Sequence, residues 1–359
     1  IRMKEQSVIF WILKKARRRL PMLFCMVLSH AGSALLGVLF ALALIATYAV
    51  GFNMLCSYNV VTSLSGYSFY SDIVPLLTGA ALAILAAICL LGGGKRIISV
   101  TSLLVPIMGA VYILVALVIT LLHANMLPEI FRQIFAGAFD VKAIFGGFGG
   151  SCVMYGIKRG LFSNEAGVGS APNAAASADV SHPVKQGLIQ MLGVFTDTLV
   201  ICSCTAFIIL VSGMPLDGSL DGVLLTQEAL SVEIGHAGRV FVAVAIFFFA
   251  FSSIIGNYYY GEANIAYISK KRWTMVVYRL MVGAMVMFGA VTTLQTVWSL
   301  ADLTMALMTI CNLAAIILLG RRVIVLLDDY MRQRREGKDP VFKLEAVKDK
   351  FDTDGIECW

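Results

Sequence analysis

Seven stretches of this sequence, residues 35–61, 72–92, 99–122, 184–212, 238–266, 275–294 and 297–319, stay apolar for longer than the core of a soluble domain requires. Crossing the hydrocarbon of a bilayer takes about 20 residues of helix, and each stretch is long enough to do so. An eighth, 141–158, is apolar but interrupted by glycines. Hydrocarbon offers no water to backbone N–H and C=O groups, so segments of this kind must be helices that satisfy those groups internally. The expected fold class is therefore an all-α integral membrane protein of about eight spans. Composition agrees: 59% of residues are hydrophobic and 14% charged, against about 25% charged in an ordinary soluble domain.

The net charge of +6 matters through its placement. Lys95-Arg96, Lys158-Arg159 with Lys185, Lys270-Lys271-Arg272 and Arg321-Arg322 fall on alternate connections. The connection 62–71 has no Lys or Arg, and 213–236 carries Asp217, Asp221, Glu228 and Glu233. Basic loops stay in the cytoplasm, which puts the start of the first span and the C-terminal tail there; an even number of spans agrees. Residues 125–139, with Glu129 and Arg132, are too short for a ninth crossing and read as an amphipathic helix lying at the outer surface. Three regions result: a basic and apolar segment at 1–33, a multi-span membrane domain at 34–320 and a charged tail at 321–359, in which Gly337-Lys338-Asp339-Pro340 ends a helical stretch. The eight cysteines form no CxxC pair and read as small buried apolar groups. The cluster Lys14-Lys15 with Arg17-Arg18-Arg19 borders an apolar run and reads as a membrane-flanking patch, so no nucleic-acid partner is expected. Four scattered histidines and no HExxH argue against a membrane-embedded metalloenzyme.

One long segment, Lys158 to His182 (KRGLFSNEAGVGSAPNAAASADVSH), is polar and rich in small residues, and Gly146-Gly147-Phe148-Gly149-Gly150 precedes it. RGLFSNEAG at 159–167, GSAPN at 169–173 and HPVKQG at 182–187 together resemble the alanine or glycine:cation symporter family of prokaryotic secondary transporters. The resemblance implies a five-plus-five inverted-repeat, leucine-transporter-like helical bundle in the cell membrane. It also implies a monomer with no cofactor, whose partners are the lipid bilayer, a small neutral amino acid and a transported sodium ion, with a proton as the alternative cation. By order and orientation, 35–61 would be the third helix of that fold and 141–158 the sixth. The bundle would thus lack its first two helices, while the tail resembles those of family members and would be complete. Residues 1–32 show no likeness to the family.

The glycine run is the first candidate site. Four glycines in five residues weaken a helix by about 1 kcal/mol each relative to alanine. They are suited either to an opened backbone that holds a carboxylate and a cation or to close helix packing. The resemblance favours the opened backbone, with Gly146, Gly147, Phe148, Gly149, Gly150 and Ser151 at the substrate. Ser252-Ser253, on the apolar helix FFFAFSSIIG, could offer hydroxyls to a cation or bond back to carbonyls one turn earlier; the family likeness points to the cation. Trp298, in VWSLADL with Asp302, is an interfacial anchor or a cover for the substrate pocket. Asp197, inside the 184–212 span, is a functional acid or part of a local hydrogen-bond network. Arg159, Asn164 and Glu165 would form a cytoplasmic gating loop, held by Glu262 through Arg159; the alternative for Glu262 is an exposed surface charge. Family members commonly carry Gln and Asn near Cys56 and Tyr58, so the departure there touches substrate choice. The expected function is sodium-coupled symport of alanine or glycine into the cell. The alternative is a truncated, non-transporting protein that binds an amino acid or a partner.

Overall fold

The computed structural model describes residues 32–347, apart from 92, 139–147, 166, 176–177, 179, 217 and 270. Among the described residues all regular structure is helical. Helix α1 (Gly32–Ile45) runs through a π-helical segment, Ala46–Phe52, into α2 (Asn53–Leu64). Then come α3 (Val74–Leu91), α4 (Gly93–Leu122), the short α5 (Leu127–Ala138), α6 (Phe148–Asn164) and α7 (Ala171–Ala175). Helix α8 (Pro183–Phe195) passes through a second π segment, Thr196–Cys202, into α9 (Ser203–Val211). The last four helices are α10 (Gly222–Ile234), α11 (His236–Ile268), α12 (Arg272–Val291) and α13 (Leu294–Arg335).

Six of these stretches are long and apolar enough to cross a bilayer: Gly37–Leu64, Ser99–Leu122, Pro183–Val211, His236–Ile268, Arg272–Val291 and Leu294–Ile317. A shorter apolar helix covers Val74–Leu90. The chain is an integral, multi-pass membrane protein. The eighth expected span corresponds to α6, but 139–147 lie outside the described residues, so Gly146 and Gly147 do too. Phe148, Gly149, Gly150 and Ser151 form the first turn of α6.

Helix α11 is the axis of the bundle, packed by α10, α2, α1, α4 and α12. Around it α12 lies on α3 and α2, α13 on α1 and the first π segment, and α9 on α4. Helices sit this close because small residues let backbones meet, the usual device where lipid tails supply no hydrophobic drive. A Cβ on Gly289 of α12 would overlap the backbone of Met54 in α2. Polar side chains add directional ties. Asn257 Nδ2 donates to Asn53 Oδ1 at 3.0 Å, and Gln227 Nε2 donates to the carbonyls of Ser63 (2.9 Å) and Arg239 (3.1 Å). Each carbonyl or amide satisfied in this way avoids the cost of an unpaired buried polar group.

Helix α5 is amphipathic as expected: Ile130 is buried in a cluster with Tyr112, Ile119 and Ile208, while Glu129 and Arg132 pair at 2.8 Å on the exposed side. Helix α13 does not stop where the charged tail was expected to begin. It continues through Arg321-Arg322 to Arg335 and closes on Gly337, whose φ of +73° lets Gly337 N and Lys338 N donate to Arg334 O and Gln333 O at 3.0 Å each. Beyond that turn the chain folds back onto the head of α8. Phe342 N donates to Ser181 O (2.9 Å), Ser181 Oγ donates to Pro340 O (2.9 Å), and Lys185 Nζ reaches Asp339 (2.6 Å). His182, buried against Tyr330 and Phe342, caps α8 by accepting from Val184 N and lies 3.4 Å from Asp329. Burial holds its imidazole below the ordinary range, against the opposing pull of Asp329.

The Gly289 contact makes a prediction. Gly289→Ala must push α12 off α2 and should destabilise the detergent-purified protein by about 1–3 kcal/mol in thermal unfolding. Gly283→Ala, on the same helix but with nothing within 4 Å of a new Cβ, should be neutral or stabilising by up to about 1 kcal/mol. Equal melting temperatures for the two variants would remove the close approach as a packing determinant.

Candidate functional site

A cavity of about 860 Å3 opens between α4, the second π segment, α9, α10 and α11, with Asn59 of α2 at its edge. Most of its wall is apolar, and the polar groups are few: Asn59, Thr101, Tyr112, Asp197, Thr205, Thr226, Ser252, Ser253, Tyr259 and Tyr260. That pattern, an apolar chamber with a handful of placed polar groups, is the usual form of a small-molecule site. Ser252 lies halfway along α11, with residues 236–251 before it and 253–268 after it. Asp197 is likewise central in the 183–211 span, with 183–196 before it and 198–211 after it. The acid and the serine doublet therefore reach one chamber from the midpoints of two spans.

The two serines differ. Ser252 is buried and its hydroxyl donates to Phe249 O at 2.9 Å, the local bond that helical serines favour. Ser253 is exposed to the chamber and faces the Cys56 thiol. Tyr112 and Thr205 share a hydrogen bond of 2.7 Å across the cavity wall.

The C-terminal end of α6 forms a second polar centre. Ser163 Oγ donates to Asp197, and Asn164 accepts from Thr198 Oγ1, so α6 is tied to the second π segment at two successive residues. A π turn widens the helix and moves its side chains out of the α-helical phase; Asp197 and Thr198 both occupy it. Glu165 follows with φ of +49°, the one described non-glycine residue in the left-handed region. Its carboxyl accepts from Ser170 and faces Tyr48 of the first π segment. The loop after it is wedged into the bundle. Val168 is buried, Asn312 Nδ2 donates to Gly167 O at 2.8 Å, and Asn264 Nδ2 reaches Asn173 Oδ1 at 3.3 Å. Gly169 has φ of +101°, and a Cβ there would stand 2.8 Å from the Phe40 ring, so both backbone and space demand glycine.

Arg159 does not reach Glu262. One turn before Ser163, its Nη2 donates to both oxygens of Asp302 at 2.9 and 2.7 Å, and its guanidinium lies 3.8 Å over Trp298. Phe162 completes the stack, packed on Trp298 at 5.0 Å and on Phe52 at 4.9 Å. Glu262 sits on the face of α11 turned to α12, where it accepts from Tyr258 at 3.0 Å with Arg279 3.8 Å away. The expected Arg159–Glu262 contact is thus corrected to Arg159–Asp302. Helix phase explains it: Tyr258 and Glu262, four apart, share one face of α11, and that face belongs to α12. Trp298 engages Arg159 and is not part of the chamber wall around Ser253. Tyr48, Ser163 and Ser170 escaped sequence reasoning, since a lone tyrosine in an apolar run or a serine in a polar loop carries no spacing signal.

Among the described residues no group of three His, Cys, Asp or Glu is placed to hold a metal. Comparison with known proteins then gives the context for this geometry. The model of the sodium:alanine symporter family matches residues 25–344. The amino-acid carrier protein AlsT of Bacillus subtilis is 43% identical over 316 residues, covering 88% of this chain and 67% of the relative. The probable sodium/glutamine symporter GlnT of the same organism is 44% identical, covering 90% and 66%. The sodium/alanine symporter AgcS of Methanococcus maripaludis is 37% identical, covering 82% and 65%. The chain spans about two thirds of the length of the curated relatives it matches. Helical spans, an inter-helical chamber and a match over most of its length together establish that this chain belongs to the sodium:alanine symporter family.

Proposed function

We propose that the protein is a secondary active transporter of the cell membrane that carries a small neutral amino acid, alanine or glycine, inward together with sodium. The observation that carries this reading is the chamber at the span midpoints, in a chain whose relatives include proteins named as sodium/alanine and sodium/glutamine symporters. Sodium is cargo here, not a resident cofactor. Transporters of this kind keep substrate and ion near the bilayer midplane, so that both can face either side in turn. Ser252 and Ser253 stand at that depth and would supply hard oxygen ligands to the cation. The amino acid would lie against the first turn of α6, Phe148 to Ser151, whose amide N–H groups no helical carbonyl can use, with Gly146 and Gly147, outside the described residues, as further candidates. Trp298, stacked under Arg159, would act with the gate and not as a cover of the chamber. The five-plus-five inverted repeat, the monomeric state and cytoplasmic termini complete the proposal.

Coupling follows if ion and substrate each favour the same closed arrangement, so that either raises the affinity for the other. Arg159, Asn164 and Glu165 belong to the gate in this reading, with Asp302 in the partner role expected of Glu262. The α6 end is already fastened: Arg159 to α13, Ser163 and Asn164 to the second π segment, and the 165–175 loop to α1, α11 and α13.

Uptake of labelled alanine by proteoliposomes should require an inward sodium gradient and collapse when potassium replaces sodium. Absence of sodium-dependent uptake of alanine, glycine and glutamine would overturn the proposal. In the Ser252→Ala/Ser253→Ala double variant the sodium concentration for half-maximal uptake should rise about tenfold, or about 1.4 kcal/mol. An unchanged sodium requirement would remove these hydroxyls from the cation site. A thermal-unfolding cycle of Arg159→Gln and Asp302→Asn should show a coupling of about 1.5–3 kcal/mol, the range for a hydrogen bond to a charged group. Additive effects would mean that the pair does not hold the gate.

A further inference from the structure

Glu165 is a carboxyl in a place built for its neutral form. It hydrogen-bonds to Ser170 and faces Tyr48, and both of those residues are fully buried. Tyr260 of α11 approaches from a third side and Asp197 of the second π segment from a fourth. The groups that face it are hydroxyls, phenols and another acid. The nearest cations along α6, Lys158 and Arg159, are both turned to Asp302. Among the described residues no Lys, Arg or His forms an ion pair with Glu165. From α13 the loop receives only the amide of Asn312, on Gly167 O.

The Tyr48 hydroxyl is buried and aimed at Glu165 and Ser170 without a well-formed hydrogen bond. A phenol both donates and accepts, so it can serve the carboxyl in either form, and a protonated carboxyl can give it the bond it lacks. The backbone supports the same conclusion: a non-glycine residue held at φ of +49° costs free energy that the surroundings must offset. An ionised carboxylate packed against Tyr48 and Tyr260, with a second carboxylate nearby, would add repulsion and desolvation to that cost.

We propose that Glu165 is a proton-binding site, and that the 165–175 loop stays seated beneath Tyr48 and Tyr260 while its carboxyl is neutral. The proton adds to one carboxylate oxygen and is shared toward Tyr48; the other oxygen keeps the Ser170 hydrogen bond. Loss of that proton leaves a charge facing Asp197 and favours release of the loop. Burial raises the carboxyl above the ordinary glutamate range, the Asp197 charge adds to the rise, and the Ser170 and Tyr48 hydroxyls only partly oppose it. A carboxyl shifted in this direction stabilises the seated loop below the ordinary glutamate value of about 4.3. That contribution disappears as pH climbs through the raised value. The site itself stands apart from the symport reading; only its bearing on transport rests on that reading.

Infrared difference spectroscopy of the purified full chain in lipid nanodiscs tests the proposal. The wild type should show the C=O band of a protonated carboxyl that titrates above a free glutamate, and Glu165→Gln should lose that band. Asp197→Asn, which removes the neighbouring charge, should move the titration to lower pH, and it serves as the deciding variant if Glu165→Gln does not fold. A band retained in Glu165→Gln, a wild-type titration at the free-glutamate value, or a titration unmoved by Asp197→Asn would each overturn the proposal. In proteoliposomes, Glu165→Gln should flatten the pH dependence of sodium-driven alanine uptake across the same range. Absence of uptake by the wild type would count against symport alone, and the infrared titration would still decide whether Glu165 binds a proton.

Discussion

Hydrocarbon leaves backbone N–H and C=O groups no partner but each other, and most of this structure follows from that. The spans are helices for this reason, and two of the described spans depart from the α ladder, at the π segments Ala46–Phe52, largely buried in the bundle, and Thr196–Cys202, which has no buried residue. The first carries Tyr48 and the second carries Asp197 and Thr198. Both turn toward the same object, the C-terminal end of α6 from Ser163 to Glu165. A π turn sacrifices hydrogen-bond geometry to re-aim side chains, and here two of them re-aim polar groups onto one junction.

The same solvent explains how the helices are held. Burying leucines against one another gains little when the alternative is lipid, so association depends on close backbone contact and polar ties. Gly289 meets Met54, a Cβ on Gly51 would stand 3.1 Å from the Ala301 backbone, and Asn53 and Asn257 bond across the α2–α11 seam. Gly261 is tighter still, lying under the Tyr278 ring, whose hydroxyl donates to Tyr258 O at 3.1 Å. These contacts fix α2, α11 and α12 as one packed unit. Beside it the chamber is bounded by α4, α9 and α10, and by the second π segment, whose Leu199 faces outward.

Hydropathy made the spans legible to within a few residues, because the energy of immersing polar side chains in lipid is large and sums over a whole segment. The 238–266 expectation became His236–Ile268 and 184–212 became Pro183–Val211. Partner choice was not legible. Arg159 and Glu262 carry opposite charges in segments expected to meet, yet the Arg159 side chain reaches across to Asp302 and Trp298 of α13, and Glu262 is turned to α12 by the phase of α11. Neither helix phase nor side-chain reach is written in a hydropathy profile. The π segments left no trace either, since ATYAVGF and TDTLVIC have ordinary helical composition. The end of the tail helix at Gly337 was legible from its glycine and proline; that this helix is one with the last span was not, because the composition changes at Arg321 while the hydrogen-bond ladder does not.

Where the polar ties fall along α6 bears on how such a protein could move. Arg159, Ser163, Asn164 and Glu165 cluster at its C-terminal end, and they engage three separate partners: α13, the second π segment and the loop beneath Tyr48. A helix fastened at one end by several directional bonds pivots there only when those bonds break together. Arg159 with Asp302 keeps its charges paired in any arrangement that keeps α6 on α13. Glu165 is different, because its neighbours are hydroxyls and an acid, and its fit depends on a single proton. The junction thus combines a charge-paired hinge and a proton-sensitive catch within two turns of helix. Ionising Glu165 would release the loop while leaving the Arg159 stack on Trp298 in place, so the two ties can act in sequence.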